Sequence, residues 1–161
     1  MTVQTIDPLL SRVAGEVLET MAFAFVMPDP DVDDQPVTGP VLRASVTFGG
    51  AFEGTLVLTA QEPVVASFAA NMLGLDEGEP CTPRQRGDAF GEIANVMCGN
   101  LLVELAGPEP VFDLSEPQVA AFDEADEAPP LPADAQRVRV PLDEGWVDVA
   151  FRRGGDGPAV R

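Results

Sequence analysis

The sequence predicts an α+β fold, in which an antiparallel sheet carries helices packed on one face. Three observations lead to this fold class. Apolar residues recur at helical spacing in three segments, apolar and polar residues alternate in four shorter segments, and the alternating segments come in pairs around turn residues. The resulting order is helix, hairpin, helix, long helix, hairpin.

The first helix is expected at about 8–22. Asp7 followed by Pro8 is typical of a helix N-terminus, and apolar residues then follow at intervals of three and four. The segment after it, 27–40, is rich in proline and aspartate. This composition predicts an exposed acidic loop.

The first hairpin is expected from the strand-like segments 41–48 and 52–59, which flank Gly49-Gly50. A second helix follows at about 61–73. Thr59 with Glu62 three positions later predicts a capping box at its start.

The longest helix is expected at about 83–105. Thr82 before Pro83 is typical of an N-cap, and Gln85 has the spacing of a capping box. A glycine ends each of the last two helices, Gly74 after the second and Gly107 after the third.

The C-terminal part predicts a poorly ordered loop and a second hairpin. Segment 112–134 is acidic and proline-rich, which is typical of a loop, and a short strand at 110–113 is the alternative for its start. Segments 137–142 and 146–152 alternate in the manner of paired strands. We expect one domain over 1–153 and a disordered tail at 154–161.

Composition restricts the kind of function. The chain has 161 residues, is 45% hydrophobic and carries a formal net charge of −18, with no lysine. Such a charge repels phosphate backbones and anionic lipid, so we expect neither nucleic acid nor membrane as a partner. The absence of histidine excludes Cys/His zinc sites and Ser-His-Asp or Cys-His catalysis. The two cysteines, Cys81 and Cys98, are too few for a disulfide framework and favour a reducing, cytoplasmic location.

Polar and apolar residues separate onto opposite sides of the long helix. Asp88, Glu92 and Asn95 fall on one side at offsets of zero, four and seven, and Gly99 extends the same row. The opposite side is an apolar stripe that we expect to face the core: Phe90, Ile93, Ala94, Met97 and Leu101.

The polar row has two interpretations. A polar outer face is ordinary for a surface helix, although such faces usually carry Lys, Arg and Glu. The helix also contains Gly91 and Gly99, which cost helix stability and allow close approach, either by a partner or by another element of the same protein.

Each residue of the polar row would have a separate role if the row met a phosphoryl group. The Asn95 amide carries a donor and an acceptor and can hold a water in line with the phosphorus atom. Glu92 would repel a phosphoryl group, so it suits a cation on a partner. Asp88 adds a partner contact or caps the helix start.

At these residues the sequence resembles the CheC/CheX family of chemotaxis phosphatases. The family signature is present as Asp88-x-x-x-Glu92-x-x-Asn95, within DAFGEIANVMCGNLL. The preceding TLVLTAQEPVVASFAANMLGLDEGEP, at 55–80, resembles the family's strand and helix, and the likeness covers about 41–107.

The resemblance implies a CheX-like fold and a phosphatase acting on the phospho-aspartate of a CheY-like response regulator. It implies that Glu92 pairs with a regulator lysine and that Asn95 orients the attacking water. Mg²⁺ would belong to the partner receiver domain, and the chain would have no cofactor of its own. The alternatives are a non-catalytic module that binds the phosphorylated receiver, and a structural domain of the same fold.

CheC-like members have two such sites, and one site indicates a CheX-like member. The first helix offers Glu16 and Glu19, but neither is followed by asparagine three positions later. The resemblance also implies a homodimer formed through the sheet. Gly91 and Gly99, with Asp88, are the expected partner-binding residues beside Glu92 and Asn95.

Overall fold

The computed structural model describes residues 7–76 and 78–154. Within them the helices and strands follow the predicted order, with two additional short strands after the long helix. The three helices are α1 (Asp7–Ala22), α2 (Glu62–Leu73) and α3 (Pro83–Ala106). The strands are β1 (Val41–Gly49), β2 (Gly54–Gln61), β3 (Asp113–Leu114), β4 (Gln118–Phe122), β5 (Gln136–Leu142) and β6 (Gly145–Arg153).

All six strands belong to one antiparallel sheet. The order is β3-β1-β2-β6-β5, and β4 also pairs with β1, on the edge that β3 occupies further along. Alternation puts the apolar side chains of each central strand on one face of the sheet. In β2, for example, Leu56, Leu58 and Ala60 are buried, while the residues between them are partly exposed.

The three helices cover this apolar face. Helix α3 packs against α1, α2 and β1, and so lies at the centre of the core. By length and composition α3 could span a membrane, but half of its apolar window is buried in the fold, which accounts for that composition. The predicted α+β arrangement is confirmed.

Helix boundaries test the local predictions. Gly74 has the left-handed φ of 67° that its predicted role requires, and Thr82 and Gln85 form the predicted capping box. The capping box predicted for α2 is wrong. Gln61 is the N-cap, and Thr59 lies within β2, where its hydroxyl accepts a hydrogen bond from Arg43 Nε at 3.2 Å. Strand β2 ends at Gln61, two residues beyond the predicted end at residue 59.

The segment 112–134 is more ordered than predicted. It contains β3 and β4, and β4 pairs with β1 from Val41–Phe122 to Ser45–Gln118. Beyond β4, the loop crosses the outer face of the sheet, where Arg43 and Arg137 donate hydrogen bonds to its backbone carbonyls. The loop prediction holds only for the part after Phe122.

The acidic loop 27–40 also packs on the outer face of the sheet. Arg139 Nη1 donates to the carbonyl oxygens of Val32 at 3.1 Å and Gln35 at 2.8 Å. The same guanidinium lies 4.8 Å from the ring centroid of Trp146, which is buried. The predicted tail at 154–161 lies outside the described residues apart from Gly154.

Candidate functional site

The site is built on α3, and its position depends on how that helix starts. The Thr82 hydroxyl accepts a hydrogen bond from the Gln85 backbone N–H at 3.1 Å, and the Gln85 side-chain oxygen accepts from the Thr82 N–H at 2.8 Å. Pro83 occupies the first turn, where its missing N–H costs nothing. These contacts fix the first turn of α3, which sets the rotation of the helix.

Burial along α3 follows the predicted stripe. Phe90, Ile93, Ala94, Met97 and Leu101 are all fully buried, which holds the helix with one side in the core. The opposite side carries Asp88 and Glu92, both exposed, and Asn95, which is partly exposed. At about 1.5 Å per residue the row from Asp88 to Asn95 is roughly 10 Å long. The three side chains that the spacing places together therefore do share one outer surface.

The polar groups of this row are mostly unengaged. Among residues 7–76 and 78–154, neither Glu92 nor Asn95 makes a side-chain hydrogen bond or ion pair. Asp88 Oδ2 lies 3.9 Å from Arg84 Nε, and both side chains are highly exposed, at 78% and 89%. An exposed pair at this distance contributes little stability. Glu92 and Asn95 are thus free to meet an external partner, and Asp88 is held only by this weak ion pair.

The two glycines of α3 have different surroundings. A Cβ at Gly99 would meet nothing within 4 Å, so the helix surface at Gly99, one turn beyond Asn95, is unobstructed. Gly91 is buried, and a Cβ there would lie 3.2 Å from Pro117 Cβ and 3.4 Å from Val119 Cγ2. Of the two reasons considered for Gly91, the structure shows the internal one, because the close approach is made by the chain's own β4.

A groove runs beside the polar row, between α3 and β4. It is open to solvent and has a volume of about 530 Å³. Its lining includes Gly87, Asp88, Gly91 and Glu92 from α3, and Pro117 and Val119 from the β4 side. The groove was not predicted from the sequence, because the segment containing Pro117 was predicted to be a loop. The two large apolar residues of the strand, Val119 and Phe122, are three positions apart, so they do not give the period-two alternation that would have predicted a strand.

Neither a reactive thiol nor a metal cluster lies beside the row in the part of the chain that the structure describes. In the described part of the chain, no three His, Cys, Asp or Glu side chains are grouped as a metal site. Cys98 is fully buried, and burial raises the pKa of its thiol to about 12. The thiol stays protonated at neutral pH and is unreactive. The arrangement can position a water through Asn95 and bind a cation through the carboxylates.

Helix α1 does not repeat this arrangement. Glu16 is paired with Arg12 at 3.1 Å, and Arg12 also reaches Glu104 at 3.0 Å. Hydrogen bonds to Glu104 and Glu16 raise the pKa of the Arg12 guanidinium. Glu16, one of the two α1 glutamates compared with the motif, is therefore engaged within the chain.

Comparison with known proteins supplies the family. The family described as "Chemotaxis phosphatase CheX" matches residues 42–143, well over half of the chain. The chain belongs to the CheX family. The family inferred from the row Asp88, Glu92 and Asn95 and its context is confirmed. A search of curated protein sequences finds no match to this CheX-family chain.

Solved CheX structures share its fold. CheX from Desulfovibrio desulfuricans aligns at 20% identity with a TM-score of 0.70, over 92% of this chain and 99% of that one. CheX from Vibrio vulnificus aligns at 19% identity with a TM-score of 0.71, over 96% and 100%. CheX from Borrelia burgdorferi, solved in a complex with CheY, BeF₃ and Mg²⁺, aligns at 19% identity with a TM-score of 0.69, over 94% and 99%. At these identities the likeness concerns the fold.

Proposed function

We propose that this chain hydrolyses the phospho-aspartate of a CheY-like response regulator, with Glu92 and Asn95 as the working residues. One observation carries the proposal: both side chains are accessible and unengaged on the outer side of a helix whose other side is buried. Membership of the CheX family supports the class of reaction. The CheX–CheY complex from Borrelia burgdorferi supports the class of partner.

Asn95 is assigned the positioning of the attacking water. Its amide oxygen accepts a hydrogen bond from the water, and its NH₂ group donates one to the water or the phosphoryl oxygen. The water oxygen attacks phosphorus as the bond from phosphorus to the aspartate oxygen breaks. The aspartate leaves as a carboxylate, and both protons of the water end on the inorganic phosphate. Phosphoryl transfer has a loose transition state, so positioning alone gives substantial acceleration.

Glu92 is assigned to docking rather than to proton transfer. A carboxylate close to the phosphoryl group would repel it, whereas a carboxylate beside a partner lysine forms a favourable ion pair. Mg²⁺ held by the partner receiver would neutralise charge on the phosphoryl oxygens. Asp88 and Gly99 complete the contact surface, and Gly91 borders it as part of the lining of the adjoining groove.

The test is a dephosphorylation assay on purified receivers. Receiver domains from the organism that encodes the chain would be phosphorylated with a small-molecule donor, and loss of phosphate would be followed with and without the chain. We expect faster loss for at least one receiver. Phosphorylation-dependent binding without acceleration would favour the non-catalytic binding module. Neither effect with any receiver would leave a structural domain of the same fold.

We also propose a cytoplasmic homodimer formed through the sheet. The family resemblance supports the dimer, and the reduced, unpaired cysteines agree with the location. Sedimentation velocity should give twice the chain mass of 17.0 kDa. A mass of one chain at micromolar concentration would contradict the dimer without affecting the assignment of Glu92 and Asn95.

A further inference from the structure

The groove between α3 and β4 lies directly beside Glu92, and the proposed chemistry does not use it. On the α3 side no side chains project into the groove from Gly87 and Gly91, because glycine has none. Its β4 side is formed by Pro117 and Val119, which are half-buried and apolar. A partner that covers Glu92 and Asn95 must also cover this groove.

The two sides of the groove differ in chemistry. Pro117 and Val119 present only carbon atoms, whereas Asp88 and Glu92 on α3 present carboxylates to solvent. Arg84 at the end of the groove is a distant partner for Asp88, at 3.9 Å and with its side chain 89% exposed. The groove therefore combines an apolar surface with two carboxylates, and the one guanidinium in its lining, Arg84, pairs only weakly with Asp88.

This combination fits a long basic side chain. Lysine and arginine lay their aliphatic stems along apolar surface while the charged end stays in a polar setting. An uncharged side chain would cover the carboxylates without pairing them, which costs free energy. A second copy of this chain is a poor occupant, because two surfaces of formal net charge −18 repel each other.

We propose that the groove receives a second basic side chain of the phosphorylated receiver, distinct from the lysine assigned to Glu92. Its stem lies on Pro117 and Val119, and its charge meets Asp88. The inference rests on the proposed function, because it takes a receiver as the partner. The proposal predicts partner specificity: receivers with a basic residue at this point of contact bind more tightly than receivers without one.

Filling the groove tests the proposal. A Cβ at Gly87 would lie 3.9 Å from Val119 Cγ1, which is ordinary contact, and Gly87 lines the groove, so Gly87→Leu is expected to fill part of it. Leucine also favours the helix over glycine, so we expect the variant to stay folded, and an unchanged melting temperature checks this. We expect the affinity for a receiver loaded with beryllofluoride and Mg²⁺ to fall at least about tenfold. Asn100→Leu, exposed on the same helix and outside the groove, should leave the affinity unchanged.

A double-mutant cycle identifies the occupant. Asp88→Ala alone should weaken binding. If one basic side chain makes both contacts, Gly87→Leu with Asp88→Ala should bind no more weakly than Gly87→Leu alone. Additive losses would mean that an uncharged group fills the groove, and unchanged affinity in Gly87→Leu would mean that it is empty. Either result overturns the proposal, while dephosphorylation by the wild-type chain would still uphold the proposed function. A wild-type chain that binds no receiver overturns both.

Discussion

Replacing Asn95 by alanine is expected to lower the rate of receiver dephosphorylation by about 100-fold or more, while the receiver still binds. The loss follows from the role assigned to the amide, because a water that is no longer held in line with the phosphorus atom samples unproductive positions. Alanine has a higher helix propensity than asparagine, and Asn95 makes no side-chain hydrogen bond within the described residues. The fold should therefore be as stable as in the wild type.

The matched control for this variant is Asn100→Ala. It makes the same chemical change on an exposed position of the same helix, five residues further along. Dephosphorylation by Asn100→Ala should equal that of the wild type. The measurement is single-turnover loss of phosphate at saturating chain, with affinity measured separately on the beryllofluoride form. An Asn95→Ala variant that retains more than about a third of the wild-type rate would remove Asn95 from the chemistry.

Asn95→Asp separates positioning from electrostatics. The aspartate has almost the same shape as asparagine, but it adds a negative charge beside the phosphoryl group. If the neutral amide is what the site requires, this variant should lose hydrolysis as fully as Asn95→Ala, and it should also bind more weakly. Binding as tight as in Asn95→Ala would place the side chain away from the phosphoryl group.

The platform of the site was predictable from local sequence. The stripe from Phe90 to Leu101 has a helical period, and the Thr82–Gln85 pair marks where the helix begins. Together these two features determine which residues of α3 face outward. Period and capping act over a few residues, so one sequence contains them in full.

The second side of the site could not be predicted in the same way. Strand β4 is short and mostly exposed, so its alternation is weak, and it is stabilised by pairing with β1, which lies more than 70 residues earlier. Pairing over such a separation is not encoded in the local pattern of Gln118–Phe122. The error over 112–134 therefore hid the surroundings of Gly91 and with them the groove.

Removing the charge of Glu92 is expected to weaken docking, whereas Asn95→Ala removes hydrolysis. Glu92→Gln keeps the size of the side chain and its hydrogen-bonding oxygen but loses the ion pair assigned to a partner lysine. A charge-assisted hydrogen bond contributes about 1.5–3 kcal/mol, so the affinity for the loaded receiver should fall roughly 10- to 100-fold. The measurement is a binding titration at two salt concentrations, in which the variant should show the weaker dependence on salt.

Glu19→Gln is the control for charge alone. It removes one negative charge from an exposed helical glutamate on α1, outside the polar row, and should leave the affinity unchanged. If both variants lose affinity equally, the partner responds to the net charge of −18 and not to Glu92. If neither loses affinity, Glu92 lies outside the interface. A loss confined to Glu92→Gln, with hydrolysis still detectable at high receiver concentration, would establish that the carboxylate docks the partner and the amide directs the water.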